Sequence, residues 1–426
     1  MGGKWDIFKS RFVKDGMALV GGNAWAQGIA FAAYLVLTRL YTPEDFGLYN
    51  IFYSYIDVLI IVSTFKYEMA VVVADNDREA AAVSRLALRI NTAVSLLLLT
   101  VSLVCYFLFP FSVFNYSFSL LIAPMVFFCG TSRVYTALIN RFRRFRQIAL
   151  SEVTGATCGV LAKVLLGLPR LATTAWHSLG LSLGTVLGRA AANINLLLCR
   201  RRLALPSDTT AEERRAAGRK FRNFPLFTMP KDLINSFSYN LPFLWLALYF
   251  DKAEVGLFAL ALTCTFRPVN VFNSAFERLM YVRVAEKVRA HQTIRADIVR
   301  FFKYVNIVAL PLFVAAFFWG DSLLGFLFGG RWADGGYYLR CLLPWVYVML
   351  TSSSLMFMSS VFGRQRTEFG FYLVLLLLRV VAVVVGICSG NFRLAILLFS
   401  MAGMAVSAAL LVWYFRLMAH YENKEV

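Results

Sequence analysis

Long apolar segments separated by short polar ones cover almost the whole chain. Segments such as 94–109, 304–319 and 394–413 approach the roughly 20 residues that a helix needs to cross the hydrocarbon of a bilayer. Backbone groups in lipid must be hydrogen-bonded within the segment, so these segments are predicted to be helices. The pattern predicts twelve spans, at residues 17–38, 47–65, 92–109, 118–139, 148–167, 174–198, 225–249, 256–276, 305–319, 341–361, 369–387 and 394–415.

The pattern occurs twice, at an offset of 209 residues. Residues 41–49 read Tyr-Thr-Pro-Glu-Asp-Phe-Gly-Leu-Tyr, residues 250–258 read Phe-Asp-Lys-Ala-Glu-Val-Gly-Leu-Phe, and Glu68 and Glu277 share the same offset. Six predicted spans precede a polar linker and six follow it, and an even number of spans per copy makes the copies parallel. The predicted fold is an all-α integral membrane protein with two parallel six-helix repeats, a lobe at 1–199, a basic cytoplasmic linker at 200–222 and a lobe at 223–426.

Composition supports the membrane class, because 59% of the residues are hydrophobic and the mean hydropathy is +0.65. The net charge of +19 depends on 43 Lys and Arg residues. If the N-terminus is cytoplasmic and the spans alternate, the inner segments hold 31 of these residues and the outer loops hold 6. This bias follows the positive-inside rule, so we expect both termini in the cytoplasm and no nucleic-acid partner. The first span is expected to be an uncleaved helix.

Sequence motifs of enzymes do not occur in the chain. The seven cysteines have no C-x-x-C spacing, the three histidines are scattered, and there is no Walker A, H-E-x-x-H or G-x-S-x-G sequence. We therefore expect no catalytic residues, no bound metal and no organic cofactor. The chain is predicted not to be an enzyme.

Two local patterns concern the linker and the first helix of each copy. Thr209 and Glu212 have the spacing of a capping box, which predicts a short helix at about 210–220 that tethers the lobes. Gly21 aligns with Pro230 at the repeat offset. Helix breakers at matching places indicate moving helices, so Gly21, Gly22 and Pro230 are predicted hinge residues. The alternative is that the glycines only permit close helix packing.

The N-terminal region resembles a known family. The residues Leu37-Thr-Arg-Leu-Tyr-Thr-Pro-Glu-Asp-Phe-Gly-Leu-Tyr, Phe65-Lys-Tyr-Glu-Met-Ala-Val-Val-Val and Asn76-Asp-Arg-Glu-Ala are similar to the start of bacterial oligosaccharide flippases. These are O-antigen and exopolysaccharide flippases of the Wzx type, within the multidrug/oligosaccharidyl-lipid/polysaccharide (MOP) exporter superfamily.

The resemblance implies a function that the spacing alone does not. Such flippases move a polyprenyl-pyrophosphate-linked oligosaccharide from the inner to the outer leaflet of the bacterial inner membrane, by alternating access of two six-helix lobes with a MATE-like fold. It implies as partners the lipid-linked oligosaccharide, the bilayer, and the polymerase and glycosyltransferases of the same pathway for cell-surface polysaccharide, including lipopolysaccharide O-antigen.

Charged residues within the predicted spans are candidates for function, because ionisable groups are costly in a membrane. Six are basic and three are acidic, which predicts a cationic interior suited to a pyrophosphate. The predicted substrate-binding residues are Arg267, Arg379, Arg189, Lys163 and Lys231, while Arg133 is close enough to the inner end to snorkel. Proton or sodium coupling is predicted at Asp57, Asp232 or Glu152.

Other interpretations remain open at this level. The charged residues can instead pair with one another, Asp57 with an arginine or Glu152 with a neighbouring basic residue. Aromatic residues such as Tyr49 and Tyr53 can stack on sugars or simply pack. A MATE-like cation-coupled drug or metabolite antiporter would predict an acidic cavity, whereas a glycan polymerase or ligase would predict long outer loops and no duplication.

Overall fold

Most of the part of the chain that the structure, a computed structural model, describes is helical. That part comprises residues 28, 32–108, 118–168, 175–201, 203, 206, 209–289, 295–356, 358–359, 362 and 364–425. Its helices are α1 (32–40), α2 (Pro43–Ser63), α3 (Tyr67–Val73), α4 (Asp77–Leu108), α5 (Ser119–Arg141), α6 (Phe145–Leu166), α7 (Ala175–Arg201), α8 (Ala211–Lys220), α9 (Met229–Trp245), α10 (Lys252–Arg289), α11 (Arg295–Phe328), α12 (Gly335–Ser353), α13 (Gln365–Cys388) and α14 (Phe392–Glu425).

The chain is a multi-pass membrane protein. Eight of the described helices are long and apolar enough to cross a bilayer, and they belong to α2, α4, α5, α6, α7, α11, α13 and α14. The predicted spans at 225–249, 256–276 and 341–361 fall on α9, α10 and α12, which are helical but are not among these eight. The span predicted at 17–38 lies largely outside the described residues, so the number of twelve and the orientation stay predictions.

The sequence repeat corresponds to a repeated helix start. Helix α2 begins at Pro43 and α10 begins at Lys252, and these positions are separated by the 209-residue offset of the repeat. A capping box starts α2, since the Thr42 side chain accepts the amide of Asp45 at 3.3 Å and the Asp45 carboxylate accepts the amide of Thr42 at 2.9 Å. At α10 the carboxylate of Asp251 accepts an amide of the first turn at 3.2 Å.

The two copies differ after this common start. In the first copy α2 ends at Ser63 and α3 begins at Tyr67, because Phe65 and Lys66 have φ values of 50° and 60°. Residues other than glycine rarely adopt this left-handed conformation, and it breaks the helix. In the second copy α10 continues without a break to Arg289. The repeat therefore predicts where the helices start but not where they are interrupted.

The described chain forms two compact units, divided between Asn240 and Leu241. This division lies later than the predicted linker at 200–222, because the first part of α9 packs with the preceding helices. The ammonium of Lys66 lies 2.7 Å from the carboxylate of Asp232 and forms an ion pair within the first unit. The predicted lobe limits, 1–199 and 223–426, describe the repeat and stay a prediction.

The predicted linker helix is present, but its cap is one residue later than expected. The capping box of α8 is formed by Thr210 and Glu213 and not by Thr209 and Glu212. The reason is that the hydroxyl of Thr209 accepts a hydrogen bond from the guanidinium of Arg85 at 2.8 Å instead.

A cluster of charges holds α8 against α4 and the segment before it. The ammonium of Lys220 lies 2.7 Å from Asp75 and 2.6 Å from Glu79, and Arg78 lies 2.6 Å from Glu213. The hydrogen bond from Lys220 lowers the pKa of Asp75, and the bonds to Asp75 and Glu79 raise the pKa of Lys220. Both pKa values move further from 7, so Asp75 and Lys220 keep their charges around neutral pH.

This cluster makes the docking of α8 sensitive to salt and insensitive to pH near neutrality. Removing two partners of Lys220 in Asp75→Asn/Glu79→Gln should speed trypsin cleavage at the arginines of α8 several-fold. High salt should do the same to the wild-type chain, because these groups are exposed to solvent. The control is Asp251→Asn, which keeps a side chain able to cap α10. Equal cleavage rates in the charge variant and the wild type would contradict the proposed docking.

Candidate functional site

Glycines bring the backbones of α6 and α7 into direct contact. A Cβ atom on Gly188 would lie 2.6 Å from the carbonyl oxygen of Gly155, and one on Gly159 would lie 3.3 Å from the carbonyl oxygen of Gly184. Small residues at such spacing permit close approach of membrane helices. Because the two backbones touch, side chains on α6 and α7 that lie one helical turn from these glycines can contact each other.

Two stripes of polar side chains lie in the first unit. Tyr49, Tyr53 and Asp57 recur every fourth residue on α2, and positions at this spacing share one face of a helix. On α7, Thr185 and Arg189 have the same spacing, and the hydroxyl of Thr185 donates to that of Tyr49 at 3.3 Å. We call the connected side chains the polar track; its members are Lys163, Tyr49, Thr185, Tyr53, Arg189, Glu152 and Asp57.

Lys163 lies at one end of the polar track. Its ammonium is 3.4 Å from the hydroxyl of Tyr49 and 4.8 Å from the centroid of the same ring. The Tyr49 ring in turn lies 6.2 Å from the ring of Tyr53, and 43% of Tyr53 is exposed. A cation beside an accessible aromatic ring is an arrangement that suits a sugar carrying a phosphate.

Arg189 and Glu152 form an ion pair in the middle of the polar track, with 3.4 Å between Nη1 and Oε1. Their side chains are 36% and 38% exposed, so a ligand at the surface of this unit can reach the pair. Pairing of Glu152 with a basic neighbour was one of the sequence alternatives. A guanidinium has five N–H donors, so one long contact does not saturate Arg189.

The thiol of Cys129 on α5 has several charged side chains of the first unit as neighbours. It lies within electrostatic range of Arg189, Arg133, Glu152 and Asp57. Arg133 also donates to the carbonyl of Ile60 at 3.5 Å, close to the C-terminal end of α2. The structure therefore brings three of the predicted site residues, Asp57, Glu152 and Arg189, to one place.

Asp57 accepts its hydrogen bonds from α9. The hydroxyl of Ser236 donates to Asp57 Oδ2 at 3.2 Å and the amide of Asn240 donates to the same oxygen at 2.9 Å. Together with Asp232, which pairs with Lys66, these residues recur every fourth position; we call Asp232, Ser236 and Asn240 the α9 stripe. Lys231, the adjacent predicted residue, is exposed.

The predicted hinge at Pro230 lies beside an irregular helical segment. Residues Phe224–Thr228 form a π-helix that leads directly into α9, and Pro230 has no N–H to donate to a preceding carbonyl. Such irregular turns often occur at functional sites. The hinge role stays a prediction, and Gly21 and Gly22 lie outside the described residues.

Arg267 and Arg379 belong to the second unit and have different surroundings. Arg379 is 3% exposed, and its guanidinium carbon lies 4.7 Å from the ring of Trp345 and 4.2 Å from the ring of Phe399. Arg267 is half-buried on α10 and directly precedes Pro268, which interrupts the hydrogen bonding of that helix. Their predicted roles in substrate binding stay predictions.

The contacts of Arg379 predict an effect on stability that is independent of any ligand. Removing a desolvated guanidinium from two aromatic rings should cost about 2 kcal/mol or more. Arg379→Ala should therefore lower the melting temperature in detergent, and Arg379→Lys should recover part of it. An alanine variant that melts like the wild type would show that these ring contacts contribute nothing measurable.

Some site residues were not found by sequence reasoning. Ser236 and Asn240 are neutral, so the cost of charge in a membrane does not select them, although their spacing with Asp232 is a usable signal. In the second unit the carboxylate of Glu368 is buried and accepts hydroxyls from Ser359 at 2.6 Å and Tyr414 at 2.7 Å. No local sequence pattern indicates that contact, since its partners are 9 and 46 residues away.

Comparison with known proteins gives one family and several structures. A family model described as "Polysaccharide biosynthesis protein" matches residues 36–335. No curated protein matches the chain by sequence.

The solved structures that match do so over nearly the whole chain. One is the lipid II flippase MurJ in an inward closed conformation, at 11% identity and a TM-score of 0.72, with 94% of this chain and 90% of that chain covered. Another is an inward-facing multidrug resistance MATE family transporter of the MOP superfamily, at 12% identity and a TM-score of 0.70, with 94% and 96% covered. A third is a MOP superfamily transporter from Pyrococcus furiosus, described as having a binding pocket of reverse polarity that suggests a different function, at 12% identity and a TM-score of 0.52, with 96% of each chain covered. These likenesses establish a MOP-type transporter fold.

Proposed function

Because the chain belongs to the family of polysaccharide biosynthesis proteins, we propose that it is a flippase for polyprenyl-pyrophosphate-linked oligosaccharide. It moves this lipid from the cytoplasmic to the outer leaflet of a bacterial inner membrane, for the synthesis of O-antigen or exopolysaccharide. Its fold, shared with MurJ and the MATE transporter, supports transport by alternating access. Flipping breaks no covalent bond, so the proposed function requires no catalytic residue.

The polar track carries the proposal. It combines two cations, Lys163 and Arg189, with the exposed ring of Tyr53 on neighbouring faces of three helices. Guanidinium and ammonium groups bind phosphate oxygens, and a tyrosine ring offers an apolar face to a sugar. The lipid tail can stay in the bilayer while the pyrophosphate and sugars pass along these side chains. Roles in substrate binding for Lys231 of this unit, and for Arg267 and Arg379 of the second unit, are proposed from the sequence alone.

The alternative function, a cation-coupled drug or metabolite antiporter, fits the site less well. It requires an acidic surface. In the polar track the two cations, Lys163 and Arg189, equal the two carboxylates, Asp57 and Glu152, in number. The track is therefore not the acidic surface that such an antiporter requires, although the Arg189–Glu152 pair makes it less cationic than the sequence predicts.

The membrane arrangement completes the proposal. We place both termini in the cytoplasm, with twelve spans, because the basic residues then lie predominantly inside. Coupling to a proton or sodium gradient uses Asp57, Asp232 or Glu152. The polymerase and glycosyltransferases of the same pathway are the proposed protein partners.

Ligand-dependent stabilisation tests the substrate class. At a ligand concentration of about 100 times Kd, binding to the folded chain alone adds about 2.7 kcal/mol to its stability. The melting temperature of the purified protein should therefore rise with polyprenyl-pyrophosphate oligosaccharide and rise less with a polyprenyl monophosphate. A rise with cationic drugs and none with the pyrophosphate lipid would instead support the antiporter.

A further inference from the structure

We propose that Arg85, Arg89 and Arg214 form a binding site for the phosphate headgroup of an anionic phospholipid. The first two arginines lie on α4, just before its exposed apolar face begins, and the third lies in the first turn of α8. The site is separate from the polar track. It goes beyond the proposed function, because binding of this lipid requires no transported substrate.

Two guanidinium groups of this site meet at one threonine. Arg85 Nη1 donates to the hydroxyl of Thr209 at 2.8 Å, and Arg214 Nη1 donates to the same oxygen at 3.3 Å. Arg85 Nη2 also donates to the carbonyl of Pro206 at 2.7 Å. These acceptors are neutral, so they hold the two cations side by side without offsetting their charge.

Arg89 adds a third cation to the same place. It lies four residues after Arg85, so the two side chains share one face of α4, and Arg89 is exposed. Desolvation, followed by repulsion from Arg89 and Arg85, lowers the pKa of Arg214. Repulsion from both residues requires that all three charges lie near one another. An anion among them would relieve this repulsion.

The carboxylate near this cluster already has partners. Among the described residues, the acidic group that acts on Arg214 is Glu213. Glu213 pairs with Arg78 at 2.6 Å and accepts the amide of Thr210 at 2.9 Å, which caps α8. One carboxylate that is shared in this way does not neutralise three arginines. The cluster therefore suits a phosphate, whose oxygens accept the forked donors of guanidinium groups.

The continuation of α4 indicates a lipid and not a soluble anion. Helix α4 is among the helices that are long and apolar enough to cross a bilayer. One exposed face, with a spacing of three or four residues, leads away from the cluster and comprises Arg89, Ala93, Leu96, Thr100, Val104 and Phe107. Leu96 and Phe107 are 59% and 73% exposed. A phosphate bound to the arginines would have its acyl chains beside this face, and basic groups at a membrane surface attract anionic lipids.

Native mass spectrometry of the purified full-length chain in detergent tests this inference. The first phosphatidylglycerol should bind several-fold more tightly than the first phosphatidylcholine. Arg89→Gln should raise the Kd for phosphatidylglycerol about fivefold, the contribution expected of one basic group beside an anionic headgroup, and should leave phosphatidylcholine unchanged. The matched control Arg215→Gln removes the same charge from an exposed position of α8 and should keep the wild-type Kd.

A second variant keeps the test decisive if Arg89→Gln does not fold. Arg214→Gln leaves the contact between Arg85 and Thr209 in place and should raise the same Kd by a similar factor. A wild-type Kd in both variants would overturn the inference. An equal loss of affinity in Arg215→Gln would also overturn it, since any arginine of this surface would then serve.

A soluble phosphate distinguishes a lipid from a free anion. Glycerol phosphate carries the phosphate without acyl chains, so it should not displace phosphatidylglycerol at equal concentration. Full displacement by glycerol phosphate would contradict a lipid site and would instead show a site for soluble anions. None of these measurements uses a glycan lipid, so their outcome leaves the flippase proposal unchanged.

Discussion

Arg189→Gln is expected to slow flipping of the lipid-linked oligosaccharide about tenfold or more, while the protein still inserts into the membrane. A tenfold loss corresponds to about 1.4 kcal/mol, which is within the range of a single charge-assisted hydrogen bond to phosphate. The variant also leaves Glu152 without its ion-pair partner, which adds repulsion against an anionic ligand. Initial flipping rates in vesicles with matched protein content provide the measurement.

A double variant separates the possible roles of Arg189. If it only neutralises Glu152, then Arg189→Gln/Glu152→Gln should restore flipping to near the wild-type rate. If it binds the pyrophosphate, the double variant should remain slow. The control is Arg416→Gln, which removes an exposed arginine from α14 and should leave the rate unchanged. A wild-type rate in Arg189→Gln would remove this residue from the site.

Gly188→Val is expected to destabilise the first unit more than any exposed substitution. Even the first added carbon would lie 2.6 Å from the carbonyl of Gly155 and 2.8 Å from the Cα of Gly159. Overpacking of this kind costs about 1–3 kcal/mol, and here the obstacles are backbone atoms that cannot rotate away. The helices must separate, which also lengthens the 3.4 Å contact between Arg189 and Glu152.

The matched control is Gly370→Val on α13, where an added Cβ meets no atom within 4 Å. Melting temperatures in detergent should fall clearly for Gly188→Val and stay near the wild-type value for Gly370→Val. Equal melting temperatures for the two variants would contradict the close contact of α6 and α7.

Sequence reasoning reached the parts of the fold that depend on local pattern. The repeat locates the starts of α2 and α10, because the side chain just before each helix, Thr42 or Asp251, accepts an amide of the first turn. It did not reveal the break at Phe65 and Lys66, since Glu68 and Glu277 have matching sequence positions while only the first copy is interrupted. The cap of α8 lies one residue later than the sequence predicts, because the hydroxyl of Thr209 accepts a hydrogen bond from Arg85, which is distant in sequence.

The candidate site shows a similar limit. The cost of charge in a membrane identified Arg189, Glu152 and Asp57, and the structure brings them together. Depth along a span does not tell which way a side chain points, so Arg379 ranked beside Arg189 although it lies between two aromatic rings. Neutral partners such as Asn240 carry no such cost, so this criterion does not select them.

Flipping by the purified chain in sealed vesicles tests the central claim most directly. Polyprenyl-pyrophosphate oligosaccharide is placed in both leaflets, and a glycosidase that cannot cross the membrane digests the outer leaflet. Vesicles with the wild-type chain should lose nearly all of the lipid, whereas protein-free vesicles should lose about half of it. If the folded, membrane-inserted chain leaves the inner-leaflet lipid protected, as in protein-free vesicles, the account is wrong.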